Sequence, residues 1–483
     1  MNNLYLMSFS DLSHAIGGRL FTGGEQQENG LCSAGFSSVS VDSRAVTPGG
    51  LFVALRGAAL DGHRFVEAAF KAGAAGALVD FSAMEDTALG LYALARSYNR
   101  VLVAVENTLK GLQEAARAYL NQFPNLLRIG ITGSSGKTTT KEIAVAIIKR
   151  EKKVVMNEGN LNSETGLPLS VFNVRAHHEV GVFEAAMNHH GEMADLARVL
   201  NPHIALITNI GSAHIGQLGS RDAIAAEKKN LFHEFTGSNT AFVPAEDEYR
   251  DFLAKDVRGR VVFYGASSFS GLRDIKDLGL EGTEFNWEGE TARFGLPGRF
   301  NFANVLAAIA LALEVKVSAE SIRRGIESVK PLFGRGEIFY GRATVVRDCY
   351  NANPESARAA VEFCDSLDWK GRRVYVMGSM LELGEMSGAS HADLGRQLKS
   401  CKADMVFLFG DEMSPAADAM REEERRDNSL QGALVPFFHT RDMKELSLAV
   451  DEYIKHGDLV LLKGSRGCAL ETLTEILTEE KGA

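Results

Sequence analysis

Cysteine is scarce in this 483-residue sequence: Cys32, Cys349, Cys364, Cys401 and Cys468 are scattered, and none forms a CxxC pair. That spacing argues against a disulfide framework or a zinc ribbon and fits reduced thiols. Long apolar runs are missing too. No uncharged stretch approaches the ~20 residues that span a bilayer. The start, Met1-Asn-Asn-Leu-Tyr-Leu, lacks a basic segment followed by an apolar core, so no signal peptide is expected. The expectation is a cytoplasmic protein with no membrane span. Nor is there an excess of positive charge. Lys+Arg 52 against Asp+Glu 62 leaves −10, which disfavours nucleic acid and requires local basic sites for any anionic ligand. Solenoid-type repeats and low-complexity segments are absent. What is present, 45% hydrophobic and 24% charged residues, describes an ordinary globular chain long enough for about three domains.

The most informative stretch is Leu127-Arg-Ile-Gly-Ile-Thr-Gly-Ser-Ser-Gly-Lys-Thr-Thr-Thr140. An apolar, β-branched run predicts a buried strand. Gly133, Ser134, Ser135 and Gly136 predict a turn, and Lys137-Thr138-Thr139 predicts the start of a helix. Strand, glycine-rich turn and helix start form the context of a phosphate loop. Backbone N–H groups and the helix dipole would hold the anion, Lys137 would reach the β/γ-phosphates, and the Thr138 hydroxyl would sit on Mg²⁺. The usual spacing is broken at one point: Ile131 stands where a first glycine is customary.

Strands and helices alternate on both sides of this loop. The pattern predicts an α/β chain of three units, 1–106, 107–333 and 334–483, built on parallel sheets. In the first unit Val39–Arg44, Leu51–Arg56, Gly76–Val79 and Val101–Val105 read as strands. Ser43, Arg44, Gly57 and His63 lie on loops near strand ends, where ligand groups often sit, though spacing alone favours solvated loop residues. In the second unit Lys152–Met156 leads into a polar loop with Asn160, Asn162 and Glu164. Glu184 ends the strand Glu179–Phe183, and His214 follows His203–Thr208. The third unit adds Ala343–Arg347, Arg373–Met377, Met405–Phe409, Val435–His439 and Leu459–Leu462, a Rossmann-like series. Ligands bind outside the carboxyl ends of such strands, so the phosphate loop, Glu184 and His214 can converge. Thr138, Glu184 and phosphate oxygens make a reasonable Mg²⁺ shell. His214 is open between a structural and a functional role, and Lys228, on a helix-like stretch from Arg221 to Phe232, reads by default as a solvated charge.

Thr132-Gly-Ser-Ser-Gly-Lys-Thr-Thr139, Asn188-His189 with Gly191-Glu192, Asn209-Ile-Gly with His214, and Tyr350-Asn-Ala-Asn-Pro354 together resemble the Mur ligases. Asp42-Ser-Arg, Asp61-Gly-His63, Leu381-Glu-Leu-Gly-Glu385 and Lys463-Gly-Ser-Arg466 extend the likeness over nearly the whole chain. The Tyr-Asn-Ala-Asn-Pro and Leu-Glu-Leu-Gly-Glu segments point to the member that joins D-alanyl-D-alanine to UDP-N-acetylmuramoyl-tripeptide. The neighbouring possibilities are the ligase adding the third amino acid and, from another class, a nucleotide-dependent switch ATPase.

The resemblance implies a UDP-sugar-binding first domain, with substrate contacts at Ser43, Arg44, Gly57, Asp61 and His63, and further contacts at Asn160, Asn162, Glu164, Asn188 and His189. It implies a central ATPase domain in which Gly133, Ser134, Ser135, Gly136, Lys137, Thr138 and Thr139 hold ATP and Thr138 and Glu184 hold one Mg²⁺. His214 would belong to the metal site, and Lys228 aligns with a carbamylated lysine that would help hold a second Mg²⁺. Lys137, Lys228 and His214 are the implied catalytic residues. Asn301, Asn304, Arg335, Asp348, Tyr350 and Asn351 match nucleotide contacts, and a monomer is expected. The chain departs from the family pattern at Ala185-Ala186-Met187, Phe300-Asn301, Arg347-Asp348-Cys349 and Gly378-Ser379-Met380.

Overall fold

A computed structural model describes residues 5–22, 34–57, 60–86, 88–269, 271–426 and 435–479. Cys32 lies outside the described residues. Three main sheets organise the chain. The first runs in the order Arg19–Phe21, Val101–Val105, Gly76–Asp80, Leu51–Val53, Val39–Ser40. Its strands are parallel except at the Arg19–Phe21 edge. Val101-Leu-Val-Ala-Val105 is buried at every position, as a strand covered on both faces requires.

The second sheet is all parallel, in the order Arg260–Tyr264, Thr240–Pro244, Ile204–Ile207, Leu127–Thr132, Val180–Glu184, Val154–Met156. The phosphate-loop strand is therefore interior, flanked by the strands that lead to His214 and deliver Glu184. The third sheet is parallel in the order Ala343–Asp348, Asp458–Lys463, Arg373–Gly378, Met405–Phe409, Phe437–Thr440, with Glu337–Phe339 added antiparallel at one edge. Among the described residues no helix is long and apolar enough to cross a membrane.

Several expected strands are shorter than their apolar runs. The segment expected over Val39–Arg44 is a strand only at Val39–Ser40. The Asp42 side chain then accepts from the Arg44 N–H and caps the 3₁₀ turn Ser43–Ala45, local hydrogen bonding that competes with the ladder. Leu51–Arg56 ends at Val53. The run Val435–His439 is a strand only from Phe437: the Pro436 carbonyl accepts from the Val406 N–H, but Pro436 has no N–H to donate in return.

Sequence patterning misses an antiparallel sheet, Leu272–Asp277, Thr283–Trp287 and Glu290–Phe294. Its buried face (Phe285, Trp287, Phe294) packs with the helix Arg299–Glu314, where Phe302 meets Phe285 edge-on. That helix and the phosphate-loop helix Lys137–Ile148 share one core. A second helix, Thr108–Leu120, straddles two sheets. Thr108 donates to Ala54 and Asp80 of the first unit, while Tyr119 and Gln113 donate to the Val174 and Glu164 carbonyls of the second.

Candidate active site

The phosphate loop forms as its glycines dictate. Gly133 has φ +151° and Gly136 has φ +78°. A Cβ at Gly133 would overlap the Thr208 hydroxyl, and one at Gly136 would overlap the Asn304 amide. The loop is thus pressed from two sides and admits no side chain there. Its backbone is tied to the next strand end: Ser134 N–H donates to the Asn209 carbonyl, Ser135 N–H to Asn209 Oδ1, and Thr208 Oγ1 to the Ser135 carbonyl at 2.6 Å. Lys137 Nζ donates to the Gly133 carbonyl at 2.8 Å. Burial depresses the Lys137 ammonium below the usual lysine range, opposed by the Glu184 carboxylate.

Glu184 ends its strand 1% exposed. Its two carboxylate oxygens accept from Thr138 Oγ1 at 2.8 Å and Asn162 Nδ2 at 2.6 Å. Behind it, the buried Asn157 side chain exchanges hydrogen bonds with the Glu184 backbone and donates to the Leu161 carbonyl. Lys141, fully buried, donates to the Asn157 carbonyl at 2.6 Å. Asn157 and Lys141 thus set the position of Glu184.

His214 lies beyond the neighbouring strand in a left-handed conformation, φ +64°. Its Nδ1 is 3.1 Å from Glu382 Oε2 of the third unit, with no hydrogen bond formed. Burial lowers the His214 pKa, opposed by Glu382. Lys228, on the helix Arg221–Lys229, is 1% exposed. Among the described residues no acceptor pairs with its Nζ. Burial, reinforced by the positive charge of Lys137, drives its pKa well below the ordinary lysine value. The expectation of a solvated Lys228 is therefore corrected: the polar face of its helix is turned inward at this position.

The third unit closes onto the loop. Asn353 Nδ2 donates to Ser135 Oγ at 3.0 Å, and Ser212 donates through N and Oγ to Glu355 Oε1 at 3.0 and 2.7 Å. Arg335 stacks 4.1 Å over Tyr350. Lys463, 2% exposed, pairs with Asp348 at 2.9 Å and donates to the Asn351 carbonyl. Asn301 and Asn304 sit on the Arg299–Glu314 helix, where Asn304 accepts from Thr140 Oγ1 at 3.2 Å.

Three segments match described families: 36–120 the Mur ligase family catalytic domain, 131–312 the Mur ligase middle domain, and 334–466 the glutamate ligase domain of Mur ligases. The chain is 42% identical over 481 residues, 99% of its length and all of the relative's, to the UDP-N-acetylmuramoyl-tripeptide–D-alanyl-D-alanine ligase of Treponema pallidum (strain Nichols). The chain belongs to the Mur ligase family. The Bacillus subtilis (strain 168) relative of the same name is 32% identical, covering 91% of this chain and 93% of that one. Among solved structures, MurF from Acinetobacter baumannii superposes with a TM-score of 0.84 at 28% identity, covering 98% and 99% of the two chains. MurF ligase from Thermotoga maritima in complex with ADP gives 0.75 at 27% identity, with 91% and 96% covered.

The first-unit residues of this Mur ligase are knit among themselves. Arg44 is exposed and paired with Asp42 at 2.7 Å. His63 is 1% exposed, with Nδ1 2.5 Å from Asp61 and Nε2 accepting from the Asp80 N–H, so both ring nitrogens are already engaged. Gly57 N–H donates to the Leu60 carbonyl. Ser43 opens the turn beside them. Asn188 N–H donates to Glu192, and charges on Glu192, Lys110 and His189 all act on Glu164, whose pKa burial raises. Asn160 is exposed, and Asn162 is engaged with Glu184. Sequence reading did not single out Thr208, Asn157, Lys141, Asn353 or Glu382. Of these only Asn353 and Glu382 lie in quoted motifs.

Proposed function

We propose that this chain joins D-alanyl-D-alanine to UDP-N-acetylmuramoyl-tripeptide with ATP, giving the pentapeptide, ADP and phosphate for peptidoglycan precursor synthesis. The carrying observation is a full-length 42% match to a relative of that name in a chain whose Lys137, Thr138 and Glu184 meet at strand tips. The tripeptide's terminal carboxylate attacks the γ-phosphorus of ATP, forming an acyl phosphate and releasing ADP. The dipeptide amine then attacks the acyl carbon, phosphate leaves, and the amine gives up a proton. Lys137 and the amides at the helix start, Gly136 to Thr138, stabilise charge on the transferring phosphoryl group, while the Ser134 and Ser135 amides are spent on Asn209. Asn301, Asn304, Arg335, Asp348, Tyr350 and Asn351 line the nucleotide side. Ser43, Arg44, Gly57, Asp61 and His63 shape the UDP-sugar site, His63 by fixing Asp61. Asn160, Asn162, Glu164, Asn188 and His189 serve the peptide side.

Magnesium fits the donors. Among the described residues no three His, Cys, Asp or Glu side chains form a ready cage, as befits a hard cation that takes one or two carboxylates and substrate phosphates. Thr138 and Glu184 would hold one ion, and His214 with Lys228 a second. Bound there, the ions would neutralise phosphate charge. Lys228 fits carbamylation: burial favours loss of its proton, and a deprotonated amine can add CO₂, releasing a proton and leaving a carboxylate. A cytoplasmic monomer fits these substrates.

The test is phosphate release with each acceptor omitted in turn. Release that requires ATP, UDP-muramoyl tripeptide and D-alanyl-D-alanine together is the expected result. Turnover without either acceptor would replace the ligase with a switch ATPase.

A further inference from the structure

The loop carrying His214 and the turn carrying Glu382 come from different units, yet they are fitted to each other. Gly216 and Gly384 abut backbone to backbone: a Cβ on Gly216 would lie 2.5 Å from Gly384 N, and one on Gly384 2.7 Å from Gly216 Cα. Gly216 N–H donates to the Glu382 carbonyl at 3.3 Å. His214 and Glu382 both occupy the left-handed region, φ +64° and +67°, a conformation non-glycine residues hold only where their surroundings impose it. With both backbones so held, His214 Nδ1 lies 3.1 Å from Glu382 Oε2. The His214 Nδ1 is buried and makes no hydrogen bond among the described residues, and the Glu382 carboxylate lies within hydrogen-bonding reach of it. On the far side of the turn, His391 Nε2 accepts from the Met380 N–H at 3.0 Å, and Ser465 Oγ accepts from the Leu381 N–H at 2.9 Å, so the turn is held rigidly.

We propose that Glu382 is a positioning residue supplied by the third unit: it fixes the His214 ring, so the histidine is oriented for the reaction only while the third unit is docked on the central one. This rests on the ligase reading. A carboxylate behind an imidazole sets which nitrogen carries the proton and which way the ring faces. Here the two partners come from loops of two different sheets, so the orientation is tied to docking. Glu382 itself touches neither ATP nor the acceptor.

The test is steady-state ligation by the full-length enzyme, after wild type has been shown to need both acceptors. That control isolates the ligase reading from this inference. Glu382→Ala is expected to lower kcat by about 10- to 100-fold, with KM for ATP and for D-alanyl-D-alanine within about twofold of wild type and an unchanged unfolding midpoint. Glu382→Gln, which keeps an acceptor at the same reach, is expected to recover most of the loss. Glu385→Gln, on the same turn, is expected to behave as wild type. A wild-type kcat for Glu382→Ala would overturn the assignment. So would a loss seen only as a raised KM for D-alanyl-D-alanine, because that would put Glu382 on the acceptor amine.

Discussion

Buried lysines under the strand tips of the central and third sheets differ in one respect. Lys463 of the third sheet is 2% exposed and satisfied by Asp348 at 2.9 Å and the Asn351 carbonyl at 2.8 Å. Lys141 of the central unit is fully buried and satisfied by the Asn157 carbonyl, with Glu142 3.3 Å away. Lys228 is buried as deeply, yet no acceptor among the described residues meets its Nζ, and its pKa is driven well down by burial and by Lys137. Removing an ammonium from water is costly unless a partner compensates. A paired buried lysine is accounted for by the scaffold, whereas an unpaired one with a strongly depressed pKa is a candidate for chemistry.

The largest loss is expected at the phosphate loop. Lys137→Ala is expected to abolish ligation, at least about 10³-fold in kcat, with unfolding free energy within about 1 kcal/mol of wild type. Near-normal turnover would remove the loop from the mechanism. Next, Lys228→Ala is expected to lose about 100-fold and to regain part of it when short-chain carboxylic acids are added to the assay. Absence of any rescue would count against a carboxylate at that position.

Stability reads the same contrast from the other side. Lys463→Met should cost about 3 kcal/mol in urea unfolding, because it strands Asp348, whereas Lys228→Met should be neutral or stabilising because it removes an unpaired buried amine. Equal losses at the two sites would erase the distinction.

The smallest effect is a pH dependence at His391, which supports the Glu382 turn. Burial holds its pKa below the ordinary 6.5, only partly offset by the Ser387 carbonyl at its other nitrogen. Folding thus favours the neutral ring. The stability it contributes is complete above pH 6.5 and is lost as pH falls from there through the depressed folded value. Urea midpoints between about pH 7.5 and 5.5 should show this fall, and His391→Gln should flatten it.

Much of this was legible in the sequence where local chemistry is strong. The strand into the phosphate loop, its glycines and the helix starting at Lys137 form as read, because positive φ at Gly133 and Gly136 and the apolar run leave few alternatives. Glu184 sits at its strand tip for the same reason. What stayed hidden depends on tertiary contact. Lys228 looks like a surface charge in a helix ending Glu-Lys-Lys, and only packing against the central sheet buries it. Asn157 and Lys141 support Glu184 through contacts 16 to 27 residues apart in sequence. Of the antiparallel strands from Leu272 to Phe294, only Thr283–Trp287 alternates cleanly, while Leu272–Asp277 is mostly charged and exposed at nearly every position, so no hairpin pattern shows. The pairing of His214 with Glu382 spans two units and has no local signal.

The most direct measurement is ¹³C NMR of the enzyme equilibrated with ¹³C-bicarbonate. A carbamate carbon that appears in wild type and Lys463→Met but vanishes in Lys228→Ala is the result expected of a buried, unpaired Lys228 whose pKa is depressed. Fully active enzyme with no such signal would contradict it.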